Sequence, residues 1–348
     1  MRFLPVNQLR EGMILGQELQ DASGRMLLEK NTRLSKDNIS YISFLEVTGL
    51  YIADDFSKDV EIKEIIKPEV KKSALSLIST LFGNPSGEGS PEEEELKENV
   101  HRVVEDVLNN RDVAYNLMEV RTYDDYTYFH SVNVGVLSGV LGLQCGLTDD
   151  ELEELVMAGF LHDIGKVFID PTIINAPRRL TEEEHVRMMD HPAEGYNFLR
   201  DNFDFSENVL MGVYEHHEWY DGGGYPCKKE GKEISKFARI IKAADVYDAM
   251  TSKRSYHEPY LPSDVLEYIM GRSGMEFDPK VVKTMVQELC VYPVGCEVEL
   301  SNGERALVVE NHRGYSLRPT VKLMSTGEVI DLTGDRSSWN ITIVKLLV

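Results

Sequence analysis

The 348-residue sequence lacks any excess of positive charge: 37 Lys and Arg stand against 59 Asp and Glu, for a formal net charge of −22. A nucleic-acid polymer is held by a basic stripe that releases counterions from phosphates, so this balance argues against one as a partner. A small anionic substrate stays admissible, because metal ions and a few Lys or Arg supply positive charge locally. Cysteine is scarce as well. Cys145, Cys227, Cys290 and Cys296 show none of the short paired spacings of a zinc site, and a chain this long has no need of disulfide staples. They read as reduced, structural thiols of a cytoplasmic protein. No run of about 18 apolar residues occurs. The closest approach, 132–147, is broken by Asn133, Ser138 and Gln144, and the opening Met-Arg-Phe-Leu-Pro-Val-Asn has no apolar signal-peptide core. A membrane span is not expected.

What is present, 42% hydrophobic and 28% charged residues, suits one sizeable core with small domains appended. The expected fold class is mainly α: an all-helical core, a small α+β N-terminal module and a small β-rich C-terminal domain. Residues 1–60 make the N-terminal module, with strand-like runs on either side of Asp21-Ala-Ser-Gly24, a helical pattern through Ile39 and Ile42, and a strand around Tyr51. Residues 61–96 read as a helical and acidic linker, since Gly83-Asn-Pro-Ser-Gly-Glu-Gly-Ser-Pro91 runs into four glutamates. Residues 97–292 read as the helical domain. Thr148-x-x-Glu151 and Thr181-x-x-Glu184 are capping boxes there, and Asp278 is an N-cap before Pro279. Residues 293–348 carry short β-runs with turns at Ser301-Asn-Gly303 and Ser325-Thr-Gly327.

Several helical stripes end in the wrong chemistry for a core. Leu152, Leu155, Val156 and Gly159 recur at helical spacing, and that face runs on to His162, Asp163 and Lys166. His130 opens the stripe of Val134, Leu137 and Leu141, and His216 and His217 continue that of Val209 and Val213. Asp245 and Asp248 extend Phe237, Ile240, Ile241 and Ala244. An inward imidazole or carboxylate is costly unless something satisfies it. One such histidine would read as a hydrogen-bonded core residue, but His130, His162, His191, His216 and His217 are five of only nine. Imidazoles with carboxylates suit Fe, Mn, Ni or Zn, and they are too many for one tetrahedral site, so two ions are expected. Two ions that activate a water and clamp phosphate oxygens fit phosphoester hydrolysis. Lys166 is then placed to bind a phosphate oxygen or protonate the leaving group.

His162-Asp163-Ile-Gly-Lys166, His191-Pro-x-x-Gly195, His216-His217-Glu-x-x-Asp221-Gly-x-Gly224-Tyr225-Pro226 and Ala244-Asp245-Val-Tyr-Asp248-Ala-Met-Thr-Ser-x-Arg254-Ser-Tyr256 follow in order after Tyr126-Thr-x-x-His130-Ser. Over residues 97–290 this closely resembles the HD-GYP subgroup of the HD-domain phosphohydrolases. The resemblance implies a phosphodiesterase for cyclic dinucleotides, chiefly cyclic di-GMP, giving pGpG or GMP at two or three divalent ions, most often iron or manganese, with nickel or zinc as alternatives. It implies that His130, His162, Asp163, His191, His216, His217 and Asp245 are metal ligands, Asp163 bridging. Asp163 and Lys166 would be catalytic. Lys166 and Arg254 would contact phosphate, Asp248 would be a supporting carboxylate on the substrate side, and Tyr225 and Pro226, from the adjacent loop, would also be substrate-binding.

Three positions depart from the subgroup's pattern. Tyr126 stands where some three-metal members supply Glu, which favours two ions. His257 stands where Lys or Arg commonly follows, and Ala176-Pro-Arg-Arg179 replaces a Lys-Pro-Gly. Alternative readings are hydrolysis of another cyclic dinucleotide such as 3′,3′-cGAMP, a non-hydrolysing module that signals to protein partners through its terminal modules, and a phosphohydrolase for (p)ppGpp. The Gly-Tyr-Pro block argues against the last. The amphipathic helix read over 96–117 offers a face either to a homodimer or, preferably, to its own domain.

Overall fold

Period-2 apolar runs near the two ends and helical-period runs between them set the element order. The computed structural model describes residues 1–20, 26–45, 47, 49–85, 87, 89–111, 126–176, 178–252, 260–334 and 338–347. The N-terminal elements are β1 (Arg2–Pro5), β2 (Ile14–Leu15), β3 (Leu19–Gln20), β4 (Met26–Leu28), α1 (Lys36–Phe44) and β5 (Gly49–Ala53). β5 is the centre of an antiparallel sheet of order β1-β5-β2, and β3 pairs with β4. The turn read at 21–24 lies outside the described residues.

The helical elements are α2 (Pro68–Gly83), α3 (Glu93–Asn109), α4 (Tyr126–Gln144), α5 (Asp149–Leu161), α6 (Pro171–Ile174), α7 (Glu182–Met188), α8 (His191–Asn202), α9 (Glu207–Glu215), α10 (Lys236–Thr251), α11 (Pro262–Gly271) and α12 (Pro279–Glu288). Both capping boxes form, at Thr148 and Thr181, and the Asp278 side chain accepts from Lys280 N. The stretch 61–96 is more than a linker. Ile65, Ile66, Val70, Leu75, Ile78, Leu81 and Phe82 enter the core of the helical domain, and Glu93, Glu94 and Glu95 form the first turn of α3, where a helix N-terminus favours acid. Only the Gly/Pro/Ser stretch between α2 and α3 is a true break. The far end of the helix read over 96–117 falls on 112–125, outside the described residues.

Two close backbone approaches bring the polar positions together. A Cβ on Gly159 of α5 would lie 2.7 Å from Gly135 Cα of α4, so these helices touch backbone to backbone and set His130 beside the end of α5. A Cβ on Gly165, in the 3₁₀ turn Ile164–Phe168, would lie 1.8 Å from His191 O, so the turn that follows Asp163 sits directly on the start of α8.

The C-terminal strands β6 (Glu297–Leu300), β7 (Arg305–Glu310), β8 (Thr320–Leu323), β9 (Val329–Asp331) and β10 (Ile343–Leu347) form an antiparallel sheet of order β10-β6-β7-β8-β9. Gly303 and Gly327 take φ of +84° and +75° at the expected turns. The two terminal modules share one core: Phe3 and Tyr51 pack with Cys296, Val298, Val308, Val321 and Leu346. Arg2 bridges Asp54 at 2.7 Å and Glu297 at 2.8 Å, and Phe3 N donates to Gly295 O at 2.7 Å. The two end modules are thus joined through Phe3, Tyr51 and Arg2, while the N-terminal module also packs a cluster of its own around Leu15, Leu34 and Ile42. Among the described residues no helix is long and apolar enough to cross a membrane.

Because the atom facing Gly165 belongs to the backbone and cannot rotate away, Gly165→Ala is expected to cost about 1–3 kcal/mol by overpacking. It should also displace His191. Urea unfolding and bound-metal analysis of the variant check both effects.

Candidate metal centre

Four of the five candidate ligand imidazoles are oriented by what Nδ1 meets. His162 Nδ1 lies 2.8 Å from Gly159 O, His191 Nδ1 2.7 Å from Met188 O and His216 Nδ1 2.6 Å from Val213 O. In each case the carbonyl is three residues earlier, at or near a helix end where carbonyls lack an amide partner. A carbonyl can only accept, so Nδ1 carries the hydrogen in all three and Nε2 presents a lone pair. His130 is fixed differently. Its Nδ1 is 2.8 Å from Asp248 Oδ2, and the other oxygen of Asp248 accepts from Asn133 Nδ2 at 3.0 Å.

The freed Nε2 atoms converge. Three groups have donor atoms mutually within 4.8 Å: His191, His216 and His217; His130, His162 and Asp245; and His162, Asp163 and His216. Asp163 lies between them, with Oδ1 3.4 Å from His191 Nε2 and Oδ2 3.4 Å from His162 Nε2. His130 Nε2 is 3.1 Å from Asp245 Oδ1 and 3.8 Å from Asp163 Oδ2. Two features test whether cations belong here. His162 Nε2 is buried without a hydrogen-bond partner among the described residues. The Nε2 atoms of His191 and His216 stand 3.3 Å apart with both protons committed to Nδ1, so two lone pairs face each other with no hydrogen between them. Both are unfavourable in a dry interior, and metal ions remove both. The residues fit a metal centre.

The protonation states agree. Burial pushes His162 below the ordinary imidazole value, His216 and His217 well below it and His191 down to about 4, so these imidazoles are neutral at pH 7. Desolvation works against ionising Asp163, but Lys166 and the imidazoles outweigh it and hold the carboxyl well below its usual range. For Asp245 desolvation is likewise outweighed, chiefly by the hydrogen bond with His130. Desolvation would lower His130, yet its hydrogen bonds to Asp245 and Asp248 prevail and raise it to about 8.

The structure brings His130, His162, Asp163, His191, His216, His217 and Asp245 to one place. Lys166, its side chain 30% exposed, donates from Nζ to Asp163 Oδ2 at 2.5 Å. Tyr225 stacks on His217, with ring centroids 4.7 Å apart and planes 16° apart, and the Tyr225–Pro226 peptide is cis. Asp248 is 0% exposed, and its oxygens meet His130 Nδ1 at 2.8 Å and Asn133 Nδ2 at 3.0 Å. Arg254, Tyr256 and His257, the Tyr126 side chain and Pro177 lie outside the described residues. Arg178 is tied to Glu184 at the start of α7. Sequence reasoning passed over Asn133, treated as an interruption of an apolar run, although its spacing of three from His130 puts it on the same face. It also passed over Glu215 and Glu218, buried carboxylates on either side of His216 and His217.

Fold and site together define a helical domain built round a buried imidazole–carboxylate centre. The chain belongs to the HD-domain family, whose family model, described as HD domain, matches residues 102–281. It is 36% identical to a cyclic di-GMP phosphodiesterase of Pseudomonas aeruginosa over 64% of this chain and 54% of that protein. It is 30% identical to a cyclic di-GMP phosphodiesterase of Thermotoga maritima over 68% of this chain and 65% of that protein. It is 32% identical to a 3′3′-cGAMP-specific phosphodiesterase of Vibrio cholerae over 55% of this chain and 37% of that protein. The chain thus spans from about a third to two thirds of these relatives' lengths.

Of the ligands with a resolved shift, only His130 is protonated at pH 7 when metal-free, so metal uptake should displace roughly one proton. Affinity should rise with pH and level off above about 8. In the metal-free fold the raised value stabilises fully below the ordinary 6.5, and that stability is lost as pH rises through about 8. Calorimetric titration with manganese in buffers of different ionisation enthalpy counts the proton; no release at pH 7 would contradict the assignment.

Proposed function

We propose that the chain is a metal-dependent phosphodiesterase of the HD-GYP type that hydrolyses cyclic di-GMP to pGpG or GMP at a dinuclear centre. The observation that carries the metal reading is the pair of facing lone pairs on His191 and His216, 3.3 Å apart, beside the unpartnered His162 Nε2. Two ions fit the arrangement of the donors: one among His191, His216 and His217, one among His130, His162 and Asp245. Asp163, between the two groups, would bridge them. An imidazole–carboxylate set of this kind suits iron or manganese, with nickel and zinc as competitors. The substrate class rests on the named activities of the relatives, and a cytoplasmic location accords with four free cysteines.

When bound, two divalent ions supply Lewis-acid polarisation of the phosphoryl oxygens and an acidified water. The protein supplies the rest. Neutral imidazoles hold their lone pairs in place without any proton to remove, except at His130. Lys166 is the cation at the exposed side of Asp163. As water adds in line to phosphorus and the P–O3′ bond breaks, the Lys166 ammonium is placed to stabilise a phosphate oxygen and to give a proton to the departing oxygen. A second reading, 3′,3′-cGAMP as substrate, is favoured by the Vibrio cholerae relative.

Metal-reconstituted protein incubated in parallel with cyclic di-GMP and 3′,3′-cGAMP, with linear products followed by chromatography, decides between them. No turnover of either with iron, manganese, nickel or zinc under reducing conditions would sink the reading and leave a binding module. Asp163→Ala should lose metal and turnover together. Lys166→Ala should keep its metal and lose roughly 10²–10⁴-fold in rate, and metal analysis beside the same assay separates the two effects.

A further inference from the structure

His217 is the exception among the ligand imidazoles. The other four have Nδ1 fixed by a carboxylate or a backbone carbonyl. Neither ring nitrogen of His217 makes a hydrogen bond among the described residues. Its ring is held by packing: His216 at 4.2 Å, His191 at 5.0 Å and Tyr225 at 4.7 Å between centroids. The two histidines are ligands themselves. Tyr225 is not, and it alone lies nearly parallel to the imidazole, at 16°.

Tyr225 is itself fixed on both sides. Its amide donates to His217 O at 3.3 Å. Two residues later, Cys227 N donates to Glu218 Oε1 at 2.6 Å. Glu218 follows His217 directly, is 2% exposed, and donates its own amide to Glu215 O at 2.8 Å. A Cβ on Gly224 would lie 2.2 Å from Trp219 N and 2.5 Å from His217 O, so the loop backbone rests on the turn that carries the ligand. The far end of the loop is tied by Glu215, which accepts from Ser235 N at 2.6 Å and pairs with Lys229.

We propose that Tyr225 and Glu218 are positioning residues for the ligand His217. The Tyr225 ring supplies by stacking the orientation that the other imidazoles take from a hydrogen bond, and Glu218 holds the loop where that ring must be. Offset-stacked rings at this separation attract each other beyond simple area burial. Without the ring, His217 is free to turn about its terminal torsion and its lone pair leaves the group with His191 and His216. The group of His130, His162 and Asp245 keeps its own supports. The inference rests on the two-ion reading above and assigns Tyr225 to ligand support in place of direct substrate contact.

The test is a manganese titration of the metal-free full chain by calorimetry, with bound metal counted after desalting and folding checked by circular dichroism. Tyr225→Leu should bind one ion as the wild type does and the other roughly 10–100-fold more weakly, the usual effect of losing a ligand's outer support. Tyr225→Phe, which keeps the ring, should bind both ions with wild-type affinity. Glu218→Ala should weaken the same ion, and Glu218→Gln, which keeps the acceptor, should restore it. Should Y225L not fold, the Glu218 pair decides alone. Wild-type affinity for both ions in Y225L or in E218A overturns the inference, as does a Y225F defect equal to that of Y225L. A wild type that takes up no metal overturns the two-ion reading and this inference together.

Discussion

An imidazole N–H given to a carbonyl at a helix end is the interaction on which the centre depends. As a single hydrogen bond it is worth on the order of 1 kcal/mol, but its consequence is directional. The carbonyl cannot donate, so the tautomer is decided, and with it the direction in which the remaining lone pair points. His162, His191 and His216 repeat the device with the same spacing of three. Three independent backbone ends thereby aim lone pairs at one small volume, and the repulsion stored between them favours a cation there. His130 uses a carboxylate for the same purpose, and it is the ligand that keeps a proton near neutrality.

Much of this was legible in one dimension, because the helical period does not stop where the helix does. The stripes through Leu152 and Gly159 to His162, and through Val209 and Val213 to His216, continue one turn past α5 and α9, and the same turn supplies the carbonyl that each ring meets. Asp248 was legible as inward-facing, and the structure gives it His130 and Asn133 as partners. At 61–96 the helical character was legible, since Val70, Ala74, Leu75, Ile78 and Leu81 recur at helical spacing, but not which core that face joins.

Non-local pairing explains what could not be read. β1 is four residues long and finds its partner β5 about fifty residues away, with Phe3 opposite Tyr51. Nothing local marks it as a strand. The joining of the two termini is further still from local pattern, since Phe3 and Tyr51 share a core with residues near position 300. The N-terminal sheet buries its other face in a cluster of its own, with Leu4, Leu15, Leu34, Ile42 and Leu50, and Phe3 and Tyr51 add to the small core of the C-terminal sheet.

The acidity of the chain and an anionic ligand are reconciled at the centre itself. Burial strips four of the five imidazoles of charge, while His130 keeps a proton until an ion displaces it, and the other fixed charge there is that of Asp163 and Asp245 opposed by Lys166. Two divalent ions bring more positive charge than those carboxylates offset, in surroundings too dry to screen it. Under the proposed function a phosphodiester would complete the balance. Had the histidines been protonated, they would have repelled the ions; had more carboxylates lined the site, the ions would have been neutralised before an anion arrived. The site therefore holds many imidazoles and few carboxylates, and the burial that keeps those imidazoles neutral also leaves an acidic protein able to take an anion.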